Sequence, residues 1–216
     1  MSQNISLKDV ERKVFTSAFE DGLWDIFIAF VFLAWALAPV LSPTLGDFWS
    51  SAVLFGSWPF VFLALWLVRR YVVTPRVGTV QFGSWRKTRL IRFNVVMLVF
   101  LSFSAILGMV LAFGTPALPD WMHAAPFSLM VLIAFSVAGY FLDFTRLYFY
   151  GVLFALSPLV GRWLYIYRGI PHSGYPVTFG ISAAIATLVG LAKFIGFVGA
   201  HPLDAQGSPS QGAYGD

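Results

Sequence analysis

Cysteine is absent from the 216 residues, which excludes disulfides, thiolate metal sites and thiol nucleophiles at once. Charge is also scarce. Asp, Glu, Lys and Arg make up 11% of the chain, against roughly a quarter in an ordinary soluble domain. Histidine is limited to His123, His172 and His201, each beside proline or in a loop, and none shares ligand spacing with another His, Asp or Glu on one helix. No phosphate-cradling glycine loop, nucleophile motif or metal set stands out, so catalytic, cofactor-binding and metal residues are all expected to be none. Gly180-Ile-Ser182 is a Gly-x-Ser sequence, but none of the apolar runs contains a histidine to activate the serine.

What the chain has in excess is hydrocarbon: 58% hydrophobic residues, including 23 Phe and 8 Trp, and a mean hydropathy of +0.78. These residues arrive in uncharged blocks. A bilayer core about 30 Å thick needs roughly 17–25 helical residues, and runs of that length occur at about 24–41, 51–68, 93–113, 126–142 and 177–199. A sixth, Leu147 to Val160, is short but is bounded by Arg146 and Arg162, whose long side chains can snorkel, so a helix over 146–165 still spans. A single helix over 126–160 would be about 50 Å long, far more than the core. A tight turn at residues 143–146 is therefore expected. The fold class is all-α: a polytopic transmembrane helical bundle of about six spans over residues 23–200.

Before the spans, Ser6 and Asp9 form a capping-box pattern, and Leu7, Val10, Val14, Ala18 and Phe19 recur at helical spacing. This predicts an N-terminal amphipathic interfacial helix over 6–20, within a segment 1–22 that Asp21-Gly22 terminates. No signal peptide is visible in the polar start. The tail 201–216, rich in Gly, Ser, Pro and Gln, is expected to be disordered.

Orientation follows from the cations, because basic residues in short loops resist translocation. Lys8, Arg12 and Lys13 precede the first span, and Arg69, Arg70, Arg76, Arg86, Lys87, Arg89 and Arg92 lie between the second and third. Loops 42–50 and 114–125 have none. With both termini in the cytoplasm, twelve of the fourteen basic residues fall inside and only Arg162 and Arg168 outside. Trp49, Trp121, Trp163, Tyr165 and Tyr167 then mark the outer interface.

The segment 69–92 contains those seven cations, and no acid occurs between Asp47 and Asp120. Beyond fixing orientation, it is a candidate docking site for anionic lipid or an acidic protein partner. Nucleic acid is not an expected partner, because no recognised module surrounds the loop. Its middle, residues 71–82, has β-branched runs around Pro75 and Gly78 and predicts an extended segment or small hairpin. A second candidate is a polar cluster of Asp25, Asp143, Arg146 and Lys193, all toward the cytoplasmic ends of their spans. Such a cluster could bind an ion or relay protons, or it could be structural, with Asp143 and Arg146 pinning the hairpin at i and i+3 while Asp25 and Lys193 pair or snorkel. Gly180, Ala183, Thr187 and Gly190 form a small-residue stripe on the sixth span, with Ser104 and Gly108 on the third. Both read as close-packed helix faces, within one chain or in a homo-oligomer.

Asp21-Gly-Leu-Trp-Asp25 at the first span, followed by Thr74-Pro-Arg-Val-Gly-Thr-Val-Gln-Phe82 and Arg86-Lys87, resembles a family of uncharacterised prokaryotic multi-spanning membrane proteins over about the first 95 residues. The resemblance implies an integral membrane protein of a bacterial or archaeal cytoplasmic membrane and supplies no activity. The expected function is that of a non-enzymatic subunit or scaffold whose basic cytoplasmic face engages anionic lipid or a partner. The alternative is a small transporter or channel built on the polar cluster.

Overall fold

A computed structural model of the chain describes residues 19–77, 84–114 and 120–202. Six helices in it are long and apolar enough to cross a membrane, as in a multi-pass membrane protein. They are α1 (Leu23–Leu45), α2 (Asp47–Val68), α3 (Ser84–Gly114), α4 (Asp120–Leu142), α5 (Arg146–Arg168) and α6 (Tyr175–Ala200). Each encloses one of the expected apolar runs, and α4 and α5 are separate helices about the turn 143–145. The first connection is tighter than a loop 42–50: Gly46 alone joins α1 to α2, with its N–H bonded to the Ser42 carbonyl at 2.8 Å. The amphipathic helix expected at 6–20 falls almost entirely outside the described residues, as does the tail from residue 203.

In space the helices pack in the order α2, α1, α6, α5, α4, α3, so α2 and α3 flank a core of the other four. That core is aromatic. Phe32 of α1, Phe154 of α5 and Phe179 of α6 are buried against one another, with the Phe154 and Phe179 rings 5.1 Å apart, and Trp35 and Phe127 pack around them. Aromatic pairs at such offsets contribute beyond their buried area. By contrast α3 leans mainly on α4, and most of its apolar side chains face outward, as suits a helix in lipid.

Close backbone approach holds the core together at two seams. A Cβ on Gly190 would lie 2.8 Å from Ile26 Cγ1 and 3.0 Å from the Ile26 nitrogen, and one on Gly151 would lie 2.6 Å from Phe135 Cβ. The small-residue stripe of α6 is therefore an intramolecular face against α1, but its composition differs from the expected one. Gly190 meets α1 directly and Ala183 and Ala186 are buried beside it, whereas Ser182 faces α5, 3.2 Å from the Ser157 hydroxyl, and a Cβ on Gly180 would meet nothing within 4 Å. On α3 the residues Ser104 and Gly108 are not packed against another helix of the same chain: Gly108 also faces open space, and with Ser104 it lines a cavity.

The basic segment is mostly helix. After α2 the chain continues through a π-helical stretch, Arg69–Val73, and an α-turn, Thr74–Val77. The extended reading of 71–77 is thus wrong; 78–82 lie outside the described residues. The β-branched run is overridden because continuing the helix keeps backbone groups bonded within the segment where the chain leaves the apolar layer. Pro75 has no N–H to donate, and just before it both the N–H and the hydroxyl of Thr74 donate to the Arg69 carbonyl, the hydroxyl at 2.9 Å. Since α3 begins at Ser84, Arg86, Lys87, Arg89 and Arg92 stand on a helix and not in a loop.

Candidate functional site

The ends of α1, α4, α5 and the start of α3 converge at the pole carrying the basic segment, and the polar residues there form two ionic clamps. The first is centred on Asp25, in the first turn of α1, whose side chain is 0% exposed. One carboxylate oxygen accepts the Tyr150 hydroxyl at 2.6 Å and the other pairs with Arg146. Arg146 also donates to the Phe19 carbonyl, and its guanidinium lies over the Phe144 ring, which stacks on Phe19 at 5.1 Å. Arg146 opens α5, where the positive end of the helix dipole disfavours a cation. The carboxylate on α1 offsets this, and the arginine in turn supplies what a buried carboxylate requires.

The second clamp joins α3 to the α4–α5 turn. Arg89 makes a two-pronged pair with Asp143, at 2.6 and 3.2 Å, and donates to the Tyr140 carbonyl. Asp143 sits at φ 51°, a left-handed conformation that Asp tolerates better than most side chains. Phe144 N–H closes the turn on the Gly139 carbonyl at 3.1 Å.

These clamps correct two expectations. Asp143 and Arg146 do not pair at i and i+3; the turn points them to different helices, Asp143 to α3 and Arg146 to α1. Arg89 is not a free member of the docking set, because its guanidinium is committed to the hairpin. Arg76 donates to its own turn, at the Val72 carbonyl. Arg69, Arg70 and Arg92 are exposed, Arg70 lying over the Trp66 ring at 5.0 Å; the Arg86 and Lys87 side chains fall outside the described residues. Lys193 is exposed on α6, its Cβ facing Gly22 at the start of α1, and adds its positive field to Asp25.

Two members escaped the sequence reading. Asp21, read as part of a helix stop and of the Asp21-Gly-Leu-Trp-Asp25 pattern but not as a member of the polar cluster, is 1% exposed. Its Oδ1 accepts the Leu23 N–H at 3.0 Å while its Oδ2 is buried without a hydrogen-bond partner. Burial pushes its carboxyl pKa up, opposed by the Leu23 hydrogen bond and the nearby Arg69 charge. Tyr150 carried one usable signal: it stands four residues after Arg146, on the same face one turn along.

Two apolar cavities are present, the smaller beside the clamps and the larger further along α3 and α4. One of about 220 Å³ opens among Trp24 and Ile28 of α1, Met97 of α3, Leu142 of α4, Phe144 and Leu147. The other, about 550 Å³, runs between α3 and α4 past Phe100, Ser104, Gly108, Pro126 and Met130. Ala134 lines both. Among the described residues no group of three His, Cys, Asp or Glu could hold a metal ion. Chemically, the arrangement is a pair of carboxylates saturated by arginine and tyrosine, with exposed arginines around them. No family model, curated protein or solved structure matches the chain.

Proposed function

We propose that the protein is a non-enzymatic subunit or scaffold of a prokaryotic cytoplasmic membrane, with both termini inside, whose basic face engages anionic lipid. The observation carrying this reading is the division of labour among the cations. Asp25 and Asp143 are engaged by Arg146 and Arg89, while Arg69, Arg70 and Arg92 face outward at the same pole. Cations near an anionic leaflet gain about 1 kcal/mol each. Arginine also matches phosphate oxygens with paired donors.

A transporter built on Asp25, Asp143, Arg146 and Lys193 would need these groups to face an aqueous path. The engagement of Asp25 by Arg146 and Tyr150 and of Asp143 by Arg89 favours the structural role, and the two cavities described are walled almost wholly by carbon. The test is to change Arg70, Arg86 and Lys87 to Gln and to measure lipid retained in native mass spectrometry. Removing three charges should lower anionic-lipid affinity by about 3 kcal/mol at low salt, and by less at physiological salt, where the Debye length is about 8 Å. Retention equal to the unaltered protein at both salts would refute the reading.

A further inference from the structure

The seam between α3 and α4 is loosely filled. α4 is the principal neighbour of α3, a Cβ on Gly108 would meet nothing within 4 Å, and the larger cavity follows the seam, while the smaller one, mostly between α1 and α4, reaches it at Met97 and shares Ala134 as a wall. We infer that this seam is a built site for one acyl chain of an anionic glycerophospholipid, with the headgroup phosphate at Arg92. The inference rests on the lipid-binding reading above and gives it a location.

Three observations select this occupant. The first is chemical: packed interiors leave few voids larger than a water molecule, and a space lined by Met97, Phe100, Leu101, Phe127 and Met130 offers water one hydroxyl, that of Ser104, where a buried water needs at least two partners. In a bilayer the filler is hydrocarbon. The second is length. From Arg92 to Ser104 the helix rises about 18 Å, comparable with half of a hydrocarbon core of about 30 Å. A chain whose headgroup sits at Arg92 would end near Ser104, whose hydroxyl is the one polar group on the cavity wall and is buried without a partner. The third is charge. Arg92 is exposed one turn beyond Arg89, and Arg89 is fixed at the cavity's basic end through Asp143, the neighbour of the lining residue Phe144. A phosphate there meets one committed and one exposed arginine on adjacent turns.

The experiment uses the full chain reconstituted with equal amounts of phosphatidylglycerol and phosphatidylcholine, extracted gently and weighed by native mass spectrometry. Ala134→Phe blocks the seam at its shared wall and should lower retained phosphatidylglycerol at least fivefold. Ser104→Leu extends into the cavity where the chain ends and should lower it at least twofold. Because leucine fits there, this variant decides the matter if Ala134→Phe does not elute as a monodisperse helical protein. Arg92→Gln should abolish the preference for phosphatidylglycerol over phosphatidylcholine while total retention stays within twofold. Phosphatidylglycerol within twofold of the unaltered protein in both seam variants would overturn the site, and a preserved preference in Arg92→Gln would overturn the headgroup assignment. If the Arg70, Arg86 and Lys87 variant still loses phosphatidylglycerol when the seam variants do not, the basic face stands and only the seam falls. The reverse pattern refutes the face and keeps the seam.

Discussion

Replacing Arg146 with Gln should be among the most destabilising single changes to the polar pole, and the structure sets its size. The substitution leaves the Asp25 carboxylate, 0% exposed, with the Tyr150 hydroxyl at 2.6 Å, its own backbone N–H and the more distant Lys193 charge. Removing one partner of a buried ion pair costs about 3–5 kcal/mol, because the remaining charge stays desolvated. The Arg146 side chain is 25% exposed and Lys193 compensates in part, so the lower end, about 3 kcal/mol, is the expected loss. For a chain of this size that corresponds to a fall of roughly 6–12 °C in Tm. The reverse change, Asp25→Asn, should cost less: asparagine still accepts from Tyr150, and the partly exposed arginine can turn toward water. Tyr150→Phe removes one hydrogen bond to a charged acceptor, about 1.5–3 kcal/mol.

Thermal unfolding in one detergent, followed by circular dichroism and by loss of the monodisperse peak, ranks the three variants. The cycle Asp25→Asn, Arg146→Gln and the double variant adds a second test, since two groups in direct contact must couple. The double variant should be more stable than Arg146→Gln alone. If Arg146→Gln shifts Tm by less than 1 °C, or the double variant shows simple additivity, the clamp is not what holds α1 against α5. A variant of normal stability that loses proton or ion flux in liposomes would instead establish the transporter.

The remaining expectations concern other elements. Gly190→Ala drives a methyl onto Ile26 and should cost about 1–3 kcal/mol by overpacking, whereas Gly180→Ala, with open space around it, should be neutral or stabilising by up to about 1 kcal/mol in the same melting assay. The raised Asp21 pKa means that its protonated form favours the folded state: its contribution is full below the ordinary carboxylate value of 3.8 and declines as pH rises through the higher folded value. Asp21→Asn, which keeps an acceptor for Leu23, should therefore raise Tm at pH 7 and lose that advantage near pH 4; an equal shift at both pH values would show that Asp21 does not titrate with folding. Reporter fusions after Thr44 and near Asp120 should read outside the membrane and those near Ser84 and at the C-terminus inside; external labelling at residue 84 would invert the orientation.

The two levels of organisation differ in how far they can be read from the chain. The spans were legible because bilayer thickness imposes a length on every uncharged run, and even the short run 147–160 was correctly resolved by the snorkelling of Arg146 and Arg162. Pairing among the charges was not, because it depends on which helices become neighbours, and spacing along one helix carries no such information. Asp143 and Arg146 illustrate the limit. Their i, i+3 spacing invites a local pair, yet Asp143 occupies a left-handed turn and not a helix, so the two side chains diverge and each finds its partner over 50 residues away in sequence, Asp143 on Arg89 and Arg146 on Asp25. The misread segment 71–77 has the same origin. β-branched residues favour strands where a sheet is there to receive them, but a chain leaving an apolar helix at the membrane boundary has no sheet, and helical bonding is the nearest way to satisfy its backbone.

That difference bears on where function resides. A positive pole read from sequence is a sum of charges, whereas the folded pole separates them into arginines that bind the helices together and arginines that face outward. Only the second group can answer to a ligand without unlocking the bundle. Arg89 and Arg92 are three residues apart on α3, and the sequence treats them alike. The first is committed to Asp143 and the Tyr140 carbonyl, so neutralising it should loosen α3 from α4 and change lipid binding only through that loosening. The second is exposed, so neutralising it should alter lipid preference with Tm unchanged. A measured exchange of those two phenotypes would refute the division between clamp and face.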